Sequence, residues 1–189
     1  MTLFRTVEPA AEPVTLADAK AQLRIGHNSE DEFIAGLIRA ARAEVEAQTG
    51  MALIDQSWRL ALDRWPRDCL VMLRRYPVRE ILSVTVYGPD GEAMLVDPAD
   101  YEADLIGRPA RLHVKEATAP VRRLNGIEID FLAGFGEAGA DVPDLLKRAI
   151  LVLVAHWYEF RAVYGAQDQP VSVPPGFDRL ISGYRQGRL

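Results

Sequence analysis

Two ionisable residues stand one helical turn apart in an otherwise apolar stretch, and their spacing is suited to a metal ion. His156 and Glu159 are at positions i and i+3 of Asp141–Arg161, DVPDLLKRAILVLVAHWYEFR. That spacing puts an imidazole and a carboxylate on one face of a helix, where they can share a metal. Di-metal bundles need matching pairs on other helices, and the sequence has no second such pair. Because a second pair is absent, we interpret His156, Trp157 and Phe160 as core or subunit-interface residues. A small metal-dependent hydrolase that uses His156 and Glu159 remains the alternative function.

A glycine pair between a predicted strand and a predicted helix has to be weighed as a phosphate loop. Gly134-Phe-Gly136 lacks the third glycine of a dinucleotide fingerprint, and no Gly-Lys-Ser/Thr occurs. We interpret these glycines as supplying unusual backbone angles where the strand passes into the helix. No nucleotide or other cofactor is predicted.

The remaining chemistry-bearing residues form no catalytic constellation. The acids of DPADYEAD, residues 97–104, are typical of a turn leading into a strand. No Gly-x-Ser-x-Gly nucleophile elbow is present. A single cysteine, Cys69, excludes an intrachain disulfide and cannot form a zinc cluster. The sequence therefore predicts no catalytic, cofactor-binding or metal-ligating residues, and no enzyme.

The apolar stretch that carries His156 is predicted to be the central helix. Asp141 is a candidate N-cap, Pro143 fits the first turn, and Arg161 places positive charge near the far end. A helix that is apolar nearly all round must be covered on several sides. It is too short to cross a bilayer, which takes about 20 apolar residues. We expect other elements, or another chain, to pack around it.

Three further helices are predicted on both sides of a strand-rich region. Thr15 caps a short helix that runs to about Ile25, and Ser29–Glu32 is a capping box for a helix ending at Gly50. A last short helix starts near Pro174. Residues 1–14 contain no periodic pattern and are interpreted as an extended arm.

Residues 51–135 predict five to seven short strands with turn-rich joints. Alternating apolar residues occur in Ser57–Asp63 and Ile127–Phe131, and Gly88–Gly91 is a strong turn signal. The predicted fold class is α+β: a helical bundle-like core of about four helices with an inserted antiparallel β module. We expect residues 1–50 and 136–189 to form the helical core with extended termini, and residues 51–135 to form the inserted β module.

Bulk charge limits the classes of partner. The formal net charge is −5, which disfavours generic binding to DNA or acidic membranes but leaves room for a local basic patch. A regulatory or DNA-binding module would need a recognition helix rich in Lys or Arg, and none is present. The N-terminus MTLFRTVEPAAEPV has no signal-peptide core, so we expect a protein made in the cytosol.

The order of the motifs resembles a known family. VTLADAKAQLRI, SEDEFIAGLIRAARAEVEAQTG, SWRLALDRWP, YPVREILSVTVY with DPADYEAD, and IEIDFLAGFGEAGADVPDLLKRAILVLVAHWYEFR follow one another from about Val14 to Tyr184. In this order the chain resembles the head–tail connector (adaptor) proteins of tailed phages that carry a β insertion. Related proteins occur in phage-like gene transfer agents, and the motifs fit a phage and a gene transfer agent equally.

The resemblance implies a structural part of a virion or phage-like particle. Such adaptors form a ring, usually of twelve copies, between the portal protein and a tail-side connector (stopper) protein in the particle neck. DNA passes through the lumen without sequence-specific binding, and the protein binds no cofactor and no membrane. Assembly in the bacterial cytoplasm is implied. The C-terminal segment commonly reaches the portal, which makes Tyr184, Arg185 and Arg188 the candidate portal-binding residues.

Overall fold

The chain adopts an α+β fold of helices and antiparallel sheets. A computed structural model describes residues 1–115, 121–160 and 173–185. The described helices are α1 (Leu16–Leu23), α2 (Asp31–Thr49), α3 (Asp144–Phe160) and α4 (Phe177–Ile181). The described strands are β1 (Thr2–Val7), β2 (Gln56–Leu62), β3 (Leu70–Leu73), β4 (Val78–Tyr87), β5 (Ala93–Leu95), β6 (Tyr101–Asp104), β7 (Ala110–Val114) and β8 (Ile127–Ala133).

Two compact units divide the chain. The β unit consists of residues 1–10 and 55–135, and the helical unit consists of residues 11–54 and 136–189. All eight described strands lie in the first unit and all four described helices lie in the second. The fold class predicted from the sequence is thus confirmed at the level of helices plus antiparallel sheets.

The β unit contains a five-stranded and a three-stranded antiparallel sheet. The five strands are ordered β1-β2-β8-β4-β5, and the three are ordered β3-β7-β6. Alternation along β2 and β8 produces the core of the larger sheet, because every second side chain of a strand points to the same face. Their inward residues are buried, as predicted: Trp58, Leu60, Leu62, Ile127, Ile129 and Phe131. The predicted turn at Gly88–Gly91 joins β4 to β5, and Gly91 N–H donates to the carbonyl of Gly88.

The N-terminal segment was predicted to be an extended arm of the helical core, but residues 1–10 belong to the β unit. Residues 2–7 form strand β1, which pairs antiparallel with β2 at one edge of the larger sheet. Apolar and polar residues do not alternate regularly in this segment, because an edge strand is partly exposed on both faces. Of its six residues only Leu3 and Arg5 are half-buried. Backbone pairing, rather than burial of side chains, holds this segment.

Gly134 adopts an unusual backbone angle, as predicted, with φ 158°, and both glycines after β8 also permit a close approach of neighbouring atoms. A Cβ on Gly134 would lie 2.5 Å from the backbone nitrogen of Asp55 and 2.6 Å from its Cα. Gly134 N–H also donates to the carbonyl of Pro77 at 2.9 Å. In the helical unit, a Cβ on Gly136 would lie 2.6 Å from the Cβ of Asp141. Neither glycine cradles a phosphate.

Replacing Gly134 by alanine is expected to lower the free energy of unfolding by about 1–3 kcal/mol, since a methyl group forced against rigid backbone overpacks the site. The matched control is Gly88→Ala in the same unit, where the nearest atom would be 3.8 Å away. That control is expected to change stability by less than about 0.5 kcal/mol. Urea denaturation followed by circular dichroism measures both. Equal stability of the two variants would show that Asp55 can move aside.

Helix α1 begins with the cap predicted from the sequence. The Thr15 side chain accepts a hydrogen bond from Asp18 N–H at 3.1 Å, and the Asp18 carboxylate accepts from Thr15 N–H at 3.0 Å. The Asp18 carboxylate also accepts from the Thr15 hydroxyl at 2.7 Å. This hydrogen bond, together with the one from Thr15 N–H, favours the ionised carboxylate and lowers the pKa of Asp18 below its ordinary value. The helix ends at Leu23, because Arg24 adopts the left-handed conformation.

Helix α2 ends as predicted but begins differently. Gly50 is in the left-handed conformation and its N–H donates to the carbonyl of Glu46. The helix starts at Asp31 with Glu30 as N-cap, and no side chain caps it. The predicted Ser29–Glu32 capping box is therefore wrong, because the Ser29 hydroxyl instead contacts Nδ1 of His27 at 2.8 Å.

Helix α3 is the central helix of the helical unit, in agreement with the sequence. It packs against α1, α2 and α4. One face is buried and is formed by Leu146, Ala149, Ile150, Leu153 and Val154. Asp141, predicted as its N-cap, lies in a preceding 3₁₀ turn, where its carboxylate accepts from Ala138 N–H. The first helical bonds run to the carbonyl of Pro143. Arg161, the predicted last residue, lies outside the described residues.

Candidate interaction surfaces

The predicted portal-binding residues lie at the C-terminal end of the helical unit. Tyr184 is half-buried in the 3₁₀ turn that follows α4, and Arg185 is exposed. The guanidinium of Arg185 donates to the carboxylate of Asp178 at 2.6 Å and to Oε1 of Gln48 at 2.8 Å. Arg188 lies outside the described residues. The structure therefore fixes Arg185 on the surface of its own unit, and its role at a portal stays a prediction.

His156 and Glu159 have no cluster of further metal-ligating side chains around them among the described residues. The imidazole of His156 packs against the ring of Phe160, with 4.3 Å between centroids, while Glu159 is exposed. Within residues 1–115, 121–160 and 173–185, no three His, Cys, Asp or Glu side chains cluster as a metal site would require. The pair thus lacks the additional ligands of a metal-dependent hydrolase.

The residues of α3 that the sequence assigned to core or interface are half-buried in the single chain. His156, Trp157 and Phe160 all retain partial exposure. Together with the exposed Leu145, which is 53% accessible, they leave part of the helix uncovered by its own unit. An apolar helix surface of this kind is suited to a further protein contact.

We define the outer stripe of α3 as Leu145, Arg148, Val152, His156 and Glu159, which follow one another at spacings of three and four residues. Such positions share a helix face. Leu145, Arg148 and Glu159 are exposed, and Val152 and His156 are half-buried. The stripe therefore combines apolar and charged side chains beside the buried face of α3, and Arg148 Nη1 donates to Oε1 of Gln22 in α1 at 3.0 Å.

A buried ion network joins three segments of the helical unit. Arg42 donates to Glu12 at 2.8 Å and to Glu46 at 3.0 Å. The other carboxylate oxygen of Glu46 accepts from Leu53 N–H at 2.9 Å. Burial alone would lower the pKa of Arg42, but the charges of Glu46 and Glu12 outweigh it and raise that pKa. This network was not predicted from the sequence, although the i, i+4 spacing of Arg42 and Glu46 is typical of an ion pair on one helix face.

The exposed sheet surface of the β unit carries a second ion network. Arg59 donates to both carboxylate oxygens of Asp130, at 2.7 and 2.8 Å, and pairs with Glu128 at 2.9 Å. The Tyr87 hydroxyl donates to Glu128 at 2.9 Å, and that hydrogen bond raises the pKa of Tyr87. These residues cross-link β2, β8 and β4, so their role in the unit is structural.

The β unit also exposes single apolar side chains at its turns. Ile106 is 94% exposed in the β6–β7 turn, and Leu95 is 76% exposed at the end of β5. Several polar residues lie between them in the sequence. Among the described residues, no helix has the length and hydrophobicity needed to cross a membrane. The described residues thus offer protein-contact surfaces and no catalytic cleft.

Comparison with known proteins shows which proteins the chain resembles. A family model described as phage gp6-like head-tail connector protein matches residues 13–76. A chain from the neck of an empty gene transfer agent particle, computed with C6 symmetry, matches with a TM-score of 0.82 and 29% identity over 100% of this chain and 97% of that chain. The chain is thus similar to head–tail connector proteins over residues 13–76, and over its whole length it is similar to a chain of a particle neck.

Two further structures support the same relationship. A chain of the virion of a native gene transfer agent particle has a TM-score of 0.81 and 28% identity, and one from the native neck, computed with C12 symmetry, has 0.80 and 26%. Each match covers 100% of this connector and 97% of the other chain. No curated protein sequence matches it.

The match to the head–tail connector family and the similarity to neck chains indicate a structural connector protein rather than an enzyme. The resemblance found in the sequence is thereby confirmed, and with it the connector function. Nothing in the comparisons favours the hydrolase alternative that used His156 and Glu159.

Proposed function

We propose that this connector forms a closed ring of twelve copies in the neck of a tailed phage or phage-like particle, joining the portal to a tail-side connector protein. The observation that carries the proposal is full-length similarity to chains in particle necks computed with C6 and C12 symmetry. DNA would pass through the lumen without sequence-specific binding, after assembly in the bacterial cytoplasm.

The helical unit is proposed as the connector core. In this proposal residues 1–50 and 136–189 form a bundle-like core, and residues 51–135 are the inserted β module. The division into a helical and a β unit supports the assignment, with the exception of residues 1–10, which pair in the β unit. Portal contact is assigned to Tyr184, Arg185 and Arg188 at the end of the core.

The outer stripe of α3 is proposed as part of the contact between neighbouring copies. A ring needs a heterologous interface, in which one surface of a subunit meets a different surface of the next. Exposed Leu145 and half-buried Val152 and His156 would gain burial there at about 25 cal/mol per Å² of apolar surface. Trp157 and Phe160 are assigned to the same packing.

Electron microscopy of particles from the producing cell tests the ring. We expect a twelvefold ring of this chain between portal and tail, with density for residues 184–185 against the portal. A particle neck that lacks the chain would overturn the proposal. A ring in which residues 184–185 face away from the portal would remove only the assignment of the C-terminal segment.

Leu145→Glu is expected to abolish ring incorporation while leaving the subunit folded. The new carboxylate is placed in the first turn of α3, where the helix dipole tolerates negative charge, but it would be buried without a partner in the ring. The matched control is Leu95→Glu, an exposed leucine of the β unit that is expected to leave the ring intact. Particle pull-down and immunoblotting measure both. Normal incorporation of the Leu145 variant would show that α3 does not form the contact.

A further inference from the structure

Three arginines converge on an open recess in the β unit. The recess has a volume of about 400 Å³ and is lined by Asp63, Arg64, Val121, Arg122 and Arg123. It is formed where the chain leaves β2 and where it approaches β8. We call it the arginine recess. Its strong positive charge contrasts with the net charge of −5 of the whole chain.

Arg122 is held in place before any ligand arrives. Its guanidinium donates from Nε and Nη2 to the carbonyl of Asn125, at 2.9 and 2.6 Å, and lies 4.0 Å from the centre of the Tyr87 ring. Its backbone N–H donates to the carbonyl of Tyr87 at 2.9 Å. A Cβ on Gly126 would come within 2.6 Å of the Arg122 carbonyl, so the turn is tightly closed. Because the backbone is fixed, the cation is preorganised.

Part of the positive charge of the recess has no ion-pair partner among the described residues. Arg64 and Arg123 are exposed, and no carboxylate among the described residues pairs with either. Asp63 accepts from Asn125 N–H at 2.9 Å, so it supports the turn. With three arginines and one aspartate, the recess carries a formal charge of +2. Some other arginines of the unit do pair with carboxylates, as Arg59 does with Asp130 at 2.7 Å and Arg111 does with Asp104 at 2.5 Å.

Guanidinium groups around an open recess select oxyanions, and the size of the recess favours a polymer. Arginine donors match phosphate and carboxylate geometry. At about 30 Å³ per water, 400 Å³ corresponds to more than ten waters, so a lone phosphate ion would remain largely hydrated. A polymer that has one phosphate in each repeating unit can instead contact several of these arginines at once, and it releases its counterions as it binds.

The lining favours nucleic acid over an acidic peptide. Protein–protein contacts are depleted of charge at their core, whereas protein–DNA contacts are polar and strongly positive. Four of the five lining residues are charged, and Val121 is the one apolar residue. We propose that the arginine recess binds the phosphate backbone of double-stranded DNA without reading its bases. This inference requires DNA near the connector and does not depend on the ring.

The test compares two double variants of the full chain that lose equal charge. Arg64→Gln with Arg123→Gln removes two exposed cations of the recess and leaves the turn-forming Arg122 intact. The control is Arg39→Gln with Arg74→Gln, two exposed arginines outside the recess. Fluorescence anisotropy with a labelled 20-base-pair duplex measures affinity between 50 and 200 mM salt, and thermal melting verifies that each variant is folded.

The recess variant is expected to bind DNA more weakly than the control and to flatten the slope of log K against log salt by about 1.8, or about 0.9 for each lost phosphate contact. Over a fourfold change in salt, that slope difference corresponds to about tenfold in relative affinity. Indistinguishable curves for the two double variants would overturn the proposal. So would preferential binding of poly-glutamate at the recess, or shifts of the Arg64 and Arg123 side-chain NMR signals with inorganic phosphate but not with DNA.

Discussion

Arg42→Ala is expected to lower the free energy of unfolding by about 3–5 kcal/mol, because removing one partner of a buried ion pair leaves the other charge uncompensated. The Arg42 and Glu46 side chains are each only 7% exposed. Glu46 would keep its bond to Leu53 N–H but lose its counter-ion, and Glu12 would lose its anchor on α2. For a chain of 189 residues this corresponds to a fall in Tm of about 6–20 °C.

Differential scanning calorimetry measures the effect of Arg42→Ala, with two comparison variants in the same helix. Arg39→Ala, an exposed arginine one turn earlier, is expected to stay within about 0.5 kcal/mol of the wild type. Arg42→Lys keeps the charge but loses the planar fork that reaches two carboxylates, so its loss should be intermediate. A melting temperature for Arg42→Ala equal to that of Arg39→Ala would contradict the importance of the network.

Phe177→Ala is expected to release α4 from the helical unit. The Phe177 side chain is fully buried, and truncating such a residue costs about 3–5 kcal/mol. Helix α4 has five residues, too few to be stable without packing, and it packs chiefly against α3. Phe177 and Ile181 are its buried residues, so the loss of one removes half of its anchors.

Hydrogen exchange followed by mass spectrometry locates the effect of Phe177→Ala. Amides of residues 177–185 should exchange about a hundredfold faster or more, since about 1.4 kcal/mol corresponds to tenfold. The control Leu180→Ala removes a half-buried side chain from the same helix and should change exchange much less. Unaltered protection in the Phe177 variant would mean that α4 is held by other contacts. Release of α4 would also separate Arg185 from Gln48 of α2.

Local patterns in the sequence predicted most helices and strands, because buried side chains recur about every 3.6 residues in a helix and every second residue in a strand. The strands at 57–63 and 127–131 and the turn at 88–91 were located correctly, since alternating apolar residues and Gly-Pro-Asp-Gly have local physical causes. Gly50 marked the end of α2 for the same reason. The family was found from the order of these elements, and the comparisons confirmed it.

Features that depend on long-range pairing were not predictable from the sequence. Strand β1 is defined by its partner β2, which is about fifty residues away, and its own residues carry no alternation. The contact between Gly134 and Asp55 joins positions that are distant in the chain. The arginine recess unites Arg64 with Arg122 and Arg123 only after β2 and β8 have paired. Surface contacts with other chains, including those of Tyr184 and Arg185, depend on partners and stay predictions.

The edge position of β1 limits how the connector can be divided. Because β1 precedes the helical segment 11–54 while its partner β2 follows it, the β unit is not encoded by one continuous piece of the gene. Recombination that exchanged residues 55–135 alone would bring in a sheet whose first strand remains behind with the host. Any transplanted module must therefore accept a foreign N-terminal strand, so backbone pairing along β2 restricts which modules can be exchanged among such connectors.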